Sequence, residues 1–351
     1  MESRAPLLDR PGNSGPSRMW MGLVKAAVGL GLLAALFFWG RIDFRALSGL
    51  GDAPWTVALC ALVLFLTLPL SALRWGLLLR ALDISIPFGK LFHFVSIGMV
   101  MNLFLLGSLG GDATRGIYAW RAVGRGSARI AISLVADRLI WLFALLSIAL
   151  LFTGFNWHWM RHVPALAALG VSLCLIFAGA GAGAGGFLLA SRLARPLEER
   201  LSRWPRLADL VGHARNLVLL VRTHPWQLLA AFAISLAIHA CVVAGIVVIA
   251  GTMRIGRLAP ADYLFAVPLT LVANAIPLTP NGIGVGEAAF DQICRWLEPA
   301  PSGAAYSSIF FALRAISMLA CLSGFISFAL YRNTGKLSAD AAATRKQEQS
   351  S

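Results

Sequence analysis

Charged residues are scarce in this sequence. Only 13% of the residues are Asp, Glu, Lys or Arg, whereas a soluble domain carries about 25%. Acidic residues are the scarcer kind, with 16 against 30 Lys and Arg, so the net charge is +14. Such a charge would suggest nucleic-acid binding in a soluble protein. Here 58% of the residues are apolar, and basic loops that face anionic lipid explain the charge, so no nucleic-acid partner is predicted.

The sequence also lacks the patterns of metal and nucleotide sites. Its five cysteines are scattered, with no CxxC or His-rich spacing, which gives no support for a metal site or a disulfide framework. There is no GxxxxGK[ST] phosphate-binding loop. No nucleophile–base pair stands out either. We therefore expect no cofactor and no enzymatic activity, and any transport would run downhill or be coupled to an ion.

Long apolar runs dominate the chain. They form eight blocks: 19–40, 54–79, 88–106, 128–153, 163–190, 225–251, 263–280 and 303–331. These blocks are too long and continuous for barrel strands, so an all-α polytopic membrane protein is predicted. The first block exceeds a signal-peptide core and lacks an A-x-A site, so we interpret it as a retained span. Residues 1–18 and 332–351 are predicted to be disordered cytoplasmic flanks of a transmembrane domain at 19–331.

Loop charges indicate how the blocks cross the membrane. If all eight blocks span, the inner loops hold 13 basic residues and the outer loops 14, without bias. If 88–106 and 263–280 instead enter and return on the same side, the counts become 21 and six. Cytoplasmic loops are the ones that collect Lys and Arg. The sequence therefore predicts six full spans and two re-entrant segments, with both termini cytoplasmic, in a bacterial-type plasma (inner) membrane.

The two re-entrant segments share an order of residues. Asn102 precedes Gly110 by eight residues, and Asn274 precedes Gly282 by eight. The returns at 107–112 and 277–287 are rich in Gly and Pro, so a non-helical backbone is predicted at both tips. The return at 107–112 is expected on the cytoplasmic side, lining a cavity.

An acid and an arginine follow each return. Asp112 precedes Arg138 by 26 residues, and Glu287 precedes Arg314 by 27. Each arginine falls inside the next apolar block, and the predicted topology gives these two blocks opposite directions. The pattern indicates an inverted repeat, an arrangement in which transporters place their site between the repeats.

These motifs resemble those of the lysylphosphatidylglycerol synthase transmembrane (flippase-like domain) family. The matching stretches are GGDATR at 110–115, ADRL at 136–139, PLTPNGIGVGE at 277–287 and ALRA at 312–315. One departure is Asn281, where the family more often has Gly. The resemblance implies a membrane domain similar to a lipid flippase. Since only about 20 residues follow the last block, we expect a stand-alone domain without the aminoacyl-transferase domain of the synthases.

Ionisable residues at membrane depth are costly and mark functional sites. We expect Arg138 and Arg314 to hold a lipid phosphate, with backbone N–H groups of the glycine loops at the same anion and acidic residues as counter-charges. The candidate substrate-binding residues are Asn102, Gly110, Gly111, Asp112, Arg115, Asp137, Arg138, Asn274, Asn281, Gly282, Gly284, Glu287 and Arg314.

Structural roles compete with these assignments. Asp112 could only cap a helix, and Glu287 with Arg314 could be a structural ion pair. Asp137 and Arg138 could balance charges of other spans. Arg115 could belong to a basic run that anchors the cytoplasmic surface. The two asparagines could bond only the freed backbone of the tips.

Three functions are compatible with these features. The favoured one is a flippase or transporter that moves a polar phospho- or glycolipid headgroup across the bilayer, with membrane lipids as its partners. The second is a non-transporting membrane partner of an enzyme of lipid or glycan assembly. The third is a lipid-modifying transferase.

Overall fold

The computed structural model describes residues 16–104, 108–124, 126–190, 222–276, 278–299 and 302–348, and these residues contain helices and turns but no strand. The helices are α1 (Pro16–Phe38), α2 (Phe44–Gly51), α3 (Pro54–Arg80), α4 (Phe88–Phe104), α5 (Ser108–Val123), α6 (Ser127–Met160), α7 (Pro164–Ala190), α8 (Pro225–Met253), α9 (Tyr263–Ala275), α10 (Val285–Leu297) and α11 (Ser307–Glu348). Short 3₁₀ turns occupy Pro260–Asp262 and Pro280–Gly282. The predicted all-α fold is confirmed.

Within the described residues, five helical segments are long and apolar enough to cross a membrane, so the chain is a multi-pass membrane protein. They are Pro54–Arg80, Ser127–Met160, Pro164–Gly183, Pro225–Met253 and Ser307–Leu330. The first predicted span corresponds to α1, which has 23 residues. Helix α11 continues to Glu348 and so covers most of the predicted tail, while residues 1–15 of the predicted N-terminal flank lie outside the described residues.

Proline marks where several long helices begin. Helices α3, α7 and α8 start at Pro54, Pro164 and Pro225. Proline suits the first position of a helix because that residue's N–H has no partner within the helix. Helix α6 instead follows Gly126, whose backbone is left-handed at φ 76°, a conformation that glycine adopts at little steric cost.

One end of the molecule, which we call end A, gathers the connections at 39–53 and 254–262 and residues 298–299 and 302–306. There the side chain of Ser307 donates a hydrogen bond to the carbonyl of Arg41. The N–H of Arg257 donates to the hydroxyl of Tyr306, at 3.4 Å. The end of α1, the end of α8 and the start of α11 therefore lie together.

The opposite end, end B, contains the connections at 81–87 and 124–126. Leu78 and Ala81, at the end of α3, pack with Ala136 of α6 and Ala231 of α8. Arg129 forms an ion pair with Asp83 at 3.5 Å. Helix α3 thus runs from end A to end B, and α6 and α8 run from end B to end A.

The first re-entrant prediction corresponds to an antiparallel hairpin of α4 and α5. Phe94 stacks on Tyr118 with ring centroids 5.7 Å apart, and deeper in the molecule the Gly111 N–H donates to Asn102 Oδ1 at 2.8 Å. Both limbs reach end B. With 17 and 16 residues, each limb is about 25 Å long, which is shorter than the hydrocarbon core of about 30 Å.

The second hairpin consists of α9 and α10 and starts from end A. The rings of Tyr263 and Phe290 stack with centroids 6.1 Å apart, and Asn274 lies beside Gly286 near the tip. Each helix has 13 residues, about 20 Å. The hairpins therefore approach the interior from opposite ends, and α6 and α11, which follow them, also run in opposite directions, as the inverted repeat predicts.

Candidate functional site

A buried cluster of charged side chains joins the first hairpin to α3 and α6. Asp137 on α6 accepts two hydrogen bonds from Arg74 on α3, at 2.7 Å and 3.0 Å. It accepts a third from Arg115 on α5, at 2.7 Å. All three side chains are buried, so each ion pair is shielded from solvent. Removal of one partner from a buried pair is strongly destabilising because it leaves an uncompensated charge.

Asp112 extends this cluster toward a cavity. Arg115 also contacts Asp112, at 2.9 Å, and Arg138 donates to the other oxygen of the same carboxylate. The side chain of Arg138 is 34% exposed, against 8% for Arg115 and 6% for Arg74. Of the three arginines, Arg138 is therefore the one best placed to meet a molecule in the cavity.

We call this set the first cluster: Arg74, Asn102, Gly111, Asp112, Arg115, Asp137 and Arg138. Its members line a cavity of about 200 Å³. Three arginines face two aspartates there, so the formal charge of the lining is positive. The guanidinium of Arg115 also lies over the ring of Trp75, 5.0 Å from its centroid, which is within cation–π range.

Sequence reasoning missed Arg74. It lies within the apolar block 54–79, but the loop charge count assigned it to the cytoplasmic loop that follows. Some signal was available, since Arg74 lies about one and a half turns inside a 27-residue span and arginines within membrane segments are rare. Ser235, which accepts a hydrogen bond from Arg74 at 3.0 Å, carried no comparable signal.

A close approach of two glycines holds the first hairpin together. A methyl group built on Gly111 would lie 2.2 Å from the carbonyl oxygen of Gly98 and 2.4 Å from Asn102 Oδ1. No side chain fits in that space. The Asn102 amide accepts from the Gly111 N–H, one of the first four N–H groups of α5, which have no partner within their own helix.

The second cluster comprises Asn274, Asn281, Gly282, Glu287 and Arg314. Arg314 Nε donates to Glu287 at 2.6 Å. Its other nitrogens donate to the carbonyl of Asn281 at 2.7 Å and to Asn274 Oδ1 at 3.0 Å. Arg314 is only 10% exposed and holds the tip of the second hairpin against α11.

The backbone at this second tip is non-helical, as predicted. Asn281 has φ 50°, and Gly282 and Gly284 have φ 67° and 82°. Asparagine tolerates the left-handed region, so the turn survives where the family more often has glycine. Glu287 also accepts from the Gly284 N–H at 2.8 Å and thereby caps α10.

The two hairpin tips face adjoining cavities. The second cavity, of about 290 Å³, is lined by Asn274, Asn281 and Arg314. Three residues line both cavities: Thr67, Met99 and Asn102. The first and second clusters therefore open onto one interior region between the repeats.

Several structural alternatives can now be decided. Asp112 does not cap a helix, because α5 begins four residues earlier, at Ser108. Arg115 is buried at 6% exposure, so it does not belong to the surface run. Asn102 does bond tip backbone, whereas Asn274 Oδ1 accepts from Arg314. Glu287 and Arg314 do form an ion pair.

The predicted non-helical first tip is wrong for residues 108–112. These residues are the start of α5, because the Asn102 amide satisfies a free N–H of the helix and Gly111 allows α4 to approach closely. The described part of this return lies at the inner tip of the hairpin, where Gly111 and Asp112 line a cavity as predicted, and its cytoplasmic side stays a prediction. The rest of that tip, 105–107, lies outside the described residues.

Eleven of the predicted residues belong to the two clusters. Gly110 and Gly284 do not line either cavity. The Gly110 carbonyl accepts from the Thr114 side chain at 2.8 Å, and Gly284 packs against α1, where a methyl group would lie 2.6 Å from Leu32 Cβ. That any of these residues binds substrate stays a prediction.

One of three comparisons with known proteins found a match. Comparison with curated proteins found no match, and comparison with solved structures found none either. A family model described as the lysylphosphatidylglycerol synthase TM region matches residues 23–322. That range includes both hairpins and every residue of both clusters, and it covers most of the chain. The protein therefore belongs to the lysylphosphatidylglycerol synthase transmembrane-region family.

Proposed function

We propose that the protein moves the polar, anionic headgroup of a lipid across the bilayer through the region between its two hairpins. The observation that carries this proposal is the positive first cavity. Among the described lining residues, Arg74, Arg115 and Arg138 face two carboxylates, and Arg138 is the most exposed of the three. A phosphate would balance the remaining charge, and the planar guanidinium of Arg138 suits phosphate oxygens.

The second cluster differs in charge and supplies a different environment. Arg314 and Glu287 neutralise each other, and the asparagines around them offer neutral polar atoms. A headgroup that leaves the first cavity would therefore meet a polar surface of lower charge. Binding that is favourable but easily reversed is what a translocation path requires.

The hairpins suggest how the path could open to each side in turn. Each one is fastened at a different end, and their tips meet near the middle. Transporters built from inverted repeats commonly alternate by moving one repeat against the other around a central site. With no nucleotide-binding motif in the sequence, we infer downhill or ion-coupled movement.

The same contacts favour transport over enzymatic transfer. The acidic groups of both clusters are held in ion pairs or helix caps. Among the described residues of the clusters, no nucleophile lies beside a general base. We also infer from the loop charges that end B faces the cytoplasm of a bacterial-type inner membrane, with both termini on that side. A scaffold for a lipid- or glycan-assembly enzyme would have no need of a positive interior cavity.

Reconstituted vesicles test this function. Lipids with fluorescent headgroups, both anionic and zwitterionic, are quenched chemically from outside, and the rate at which protected lipid becomes accessible is measured. We expect the protein to accelerate the translocation of an anionic lipid. Arg138→Gln should slow this translocation about tenfold or more, as the loss of a charged hydrogen bond implies. Arg161→Gln, at an exposed position of end A, is the matched control and should keep the rate. Acceleration of no lipid, or equal rates with Arg138→Gln, would contradict the proposal.

A further inference from the structure

A third cavity lies at end A, away from both clusters. It has a volume of about 660 Å³, which is within the usual size range of small-molecule sites. Three arginines from two separate connections line it: Arg45, Arg254 and Arg257. Among the described residues that line it, Asp43 is the one acidic residue. The lining therefore carries a formal surplus of two positive charges.

These arginines differ from their neighbours at the same end. Arg41 and Arg295 both form ion pairs with Asp291, at 3.2 Å and 2.7 Å. Within the described ranges, no residue offers a hydrogen bond or ion pair to the side chains of the three cavity arginines. Their guanidinium groups are thus available to a ligand, whereas those of Arg41 and Arg295 are occupied.

Three arginines in one cavity are also many for end A, which the favoured topology places on the outer side of the membrane. The favoured topology leaves only six basic residues on the outer side, where Lys and Arg are normally rare. Half of them line this one cavity. A general attraction to anionic lipid would not concentrate them there, because that attraction acts on the cytoplasmic face.

The connection that carries Arg254 and Arg257 is held in place by Tyr306 and Glu298. The Tyr306 hydroxyl accepts from the Arg257 N–H and donates to Glu298 at 3.0 Å. A methyl group on Gly256 would lie 2.3 Å from that hydroxyl, so the connection of Arg254 and Arg257 is in close contact with Tyr306. Burial opposes the charge of Glu298, but hydrogen bonds from Ser302 and Tyr306 outweigh it and lower the pKa of Glu298. The carboxylate that fastens this connection therefore stays ionised at neutral pH.

Aromatic side chains cluster at the end of α1, beside this cavity. Phe37 lines it, and the neighbouring Phe38 and Trp39 are 81% and 73% exposed. Exposed aromatic side chains at the end of an apolar helix are typical of the membrane interface. A ligand could therefore enter either from the outer leaflet or from solution.

We propose that the end A cavity is a binding site for a phosphorylated polar group with at least two negative charges, such as a pyrophosphate or a sugar phosphate. Arginine forks bind phosphate oxygens in pairs, and three of them match two or more charges. The volume exceeds that of a phosphate, so the ligand carries a further polar part. This site is separate from the central cavities, and the inference does not rest on the proposed transport.

Titration calorimetry on the purified protein in neutral detergent, with inorganic pyrophosphate as the probe, tests the site. At an ionic strength of about 0.15 M, weak surface attraction is largely screened. We expect saturable binding with a Kd below about 1 mM, and weakening of at least about tenfold when Arg45, Arg254 and Arg257 are all replaced by Gln. The single variant Arg45→Glu should also weaken binding, which keeps the test valid if the triple variant does not fold. Arg161→Gln, at an exposed position outside the cavity, should bind as the wild type does.

Absence of saturable binding overturns the proposal, as does a folded triple variant, or Arg45→Glu, that binds like the wild type. The source of the natural ligand is distinguished by the phospholipid that copurifies with each protein, measured by mass spectrometry. Less phospholipid per protein in the triple variant would identify a lipid headgroup. Equal amounts, with weakened pyrophosphate binding, would identify a soluble phosphorylated molecule.

Discussion

At the scale of single residues, the charged groups of the first cluster divide into two kinds. Asp137 is nearly inaccessible and is held by two arginines, whereas Asp112 and Arg138 are more exposed, at 14% and 34%. A buried ion pair with every partner in place is tolerated, and its main energetic consequence appears when one partner is removed. We therefore expect substitutions at Arg74 to act on stability and those at Arg138 on transport.

Replacement of Arg74 by Ala should destabilise the protein by about 3 kcal/mol, because Asp137 loses its two-point partner and keeps only Arg115. Thermal unfolding of the detergent-solubilised protein measures this as a lower Tm. Arg80→Ala, at the exposed end of the same helix, is the control and should change stability by less than about 0.5 kcal/mol.

The double variant Arg74→Leu/Asp137→Leu removes one charge of each sign. Since it leaves no unpaired carboxylate, it should regain much of the lost Tm, which a double-mutant cycle detects as coupling. If the Tm losses of the two single variants simply add in the double variant, the interaction between Arg74 and Asp137 does not stabilise the protein.

Gly111→Ala should destabilise the first hairpin, because the added methyl group overlaps the Gly98 carbonyl. Overpacking of this kind costs about 1–3 kcal/mol. In contrast, Gly154→Ala on α6 meets no atom within 4 Å and should leave Tm unchanged or raise it. Equal effects of the two substitutions in thermal unfolding would mean that α4 and α5 do not approach as closely as described.

At the scale of helices and hairpins, the sequence predicted much of the arrangement. The apolar blocks and loop charges predicted hairpins from opposite ends, and the spacings of 26 and 27 residues matched the pairs Asp112–Arg138 and Glu287–Arg314. These features are periodic or local along the chain, so they are visible without a structure.

Other features depend on contacts that no local pattern records. The pairing of Arg74 with Asp137 joins residues 63 positions apart, and nothing near either residue identifies the partner. The helical first tip was missed for a similar reason. Its glycines were interpreted as helix breakers, whereas Gly111 serves a tertiary contact with Gly98, and the Asn102 side chain supplies the hydrogen bond that lets α5 start early.

Cysteine labelling in a background without native cysteines tests the hairpins. Lys90→Cys and Arg121→Cys, at exposed positions on the two limbs of the first hairpin, should react with a membrane-impermeant thiol reagent only from the cytoplasmic side. Ala261→Cys and Pro299→Cys, flanking the second hairpin, should react only from outside. Labelling of positions 121 and 261 from the same side would contradict the arrangement of two opposed hairpins.

At the scale of the whole molecule, the two repeats enclose one interior region. Its first and second cavities have lining residues in common, which form a shared wall. Met99 is part of that wall and is only partly buried. Met99→Trp should fill the space between the two clusters and so reduce headgroup translocation strongly, without removing any charge. The vesicle assay described above measures this effect.

Leu142→Trp is the matched control, since Leu142 lies on an exposed face of α6. It should keep the wild-type rate. A Met99→Trp protein that is folded and transports normally would show that the headgroup does not pass between the clusters.

The most direct test of the central claim is to locate the headgroup by photo-crosslinking. An anionic lipid with a diazirine on its headgroup is reconstituted with the protein, irradiated, and the modified peptides are mapped by mass spectrometry. We predict labels on the cavity-lining parts of α4, α5 and α6, around Met99, Asp112 and Arg138, and a clear reduction in the Arg138→Gln variant. Labels confined to the connections at ends A and B, unchanged by Arg138→Gln, would contradict the claim that a lipid headgroup enters the interior of this protein.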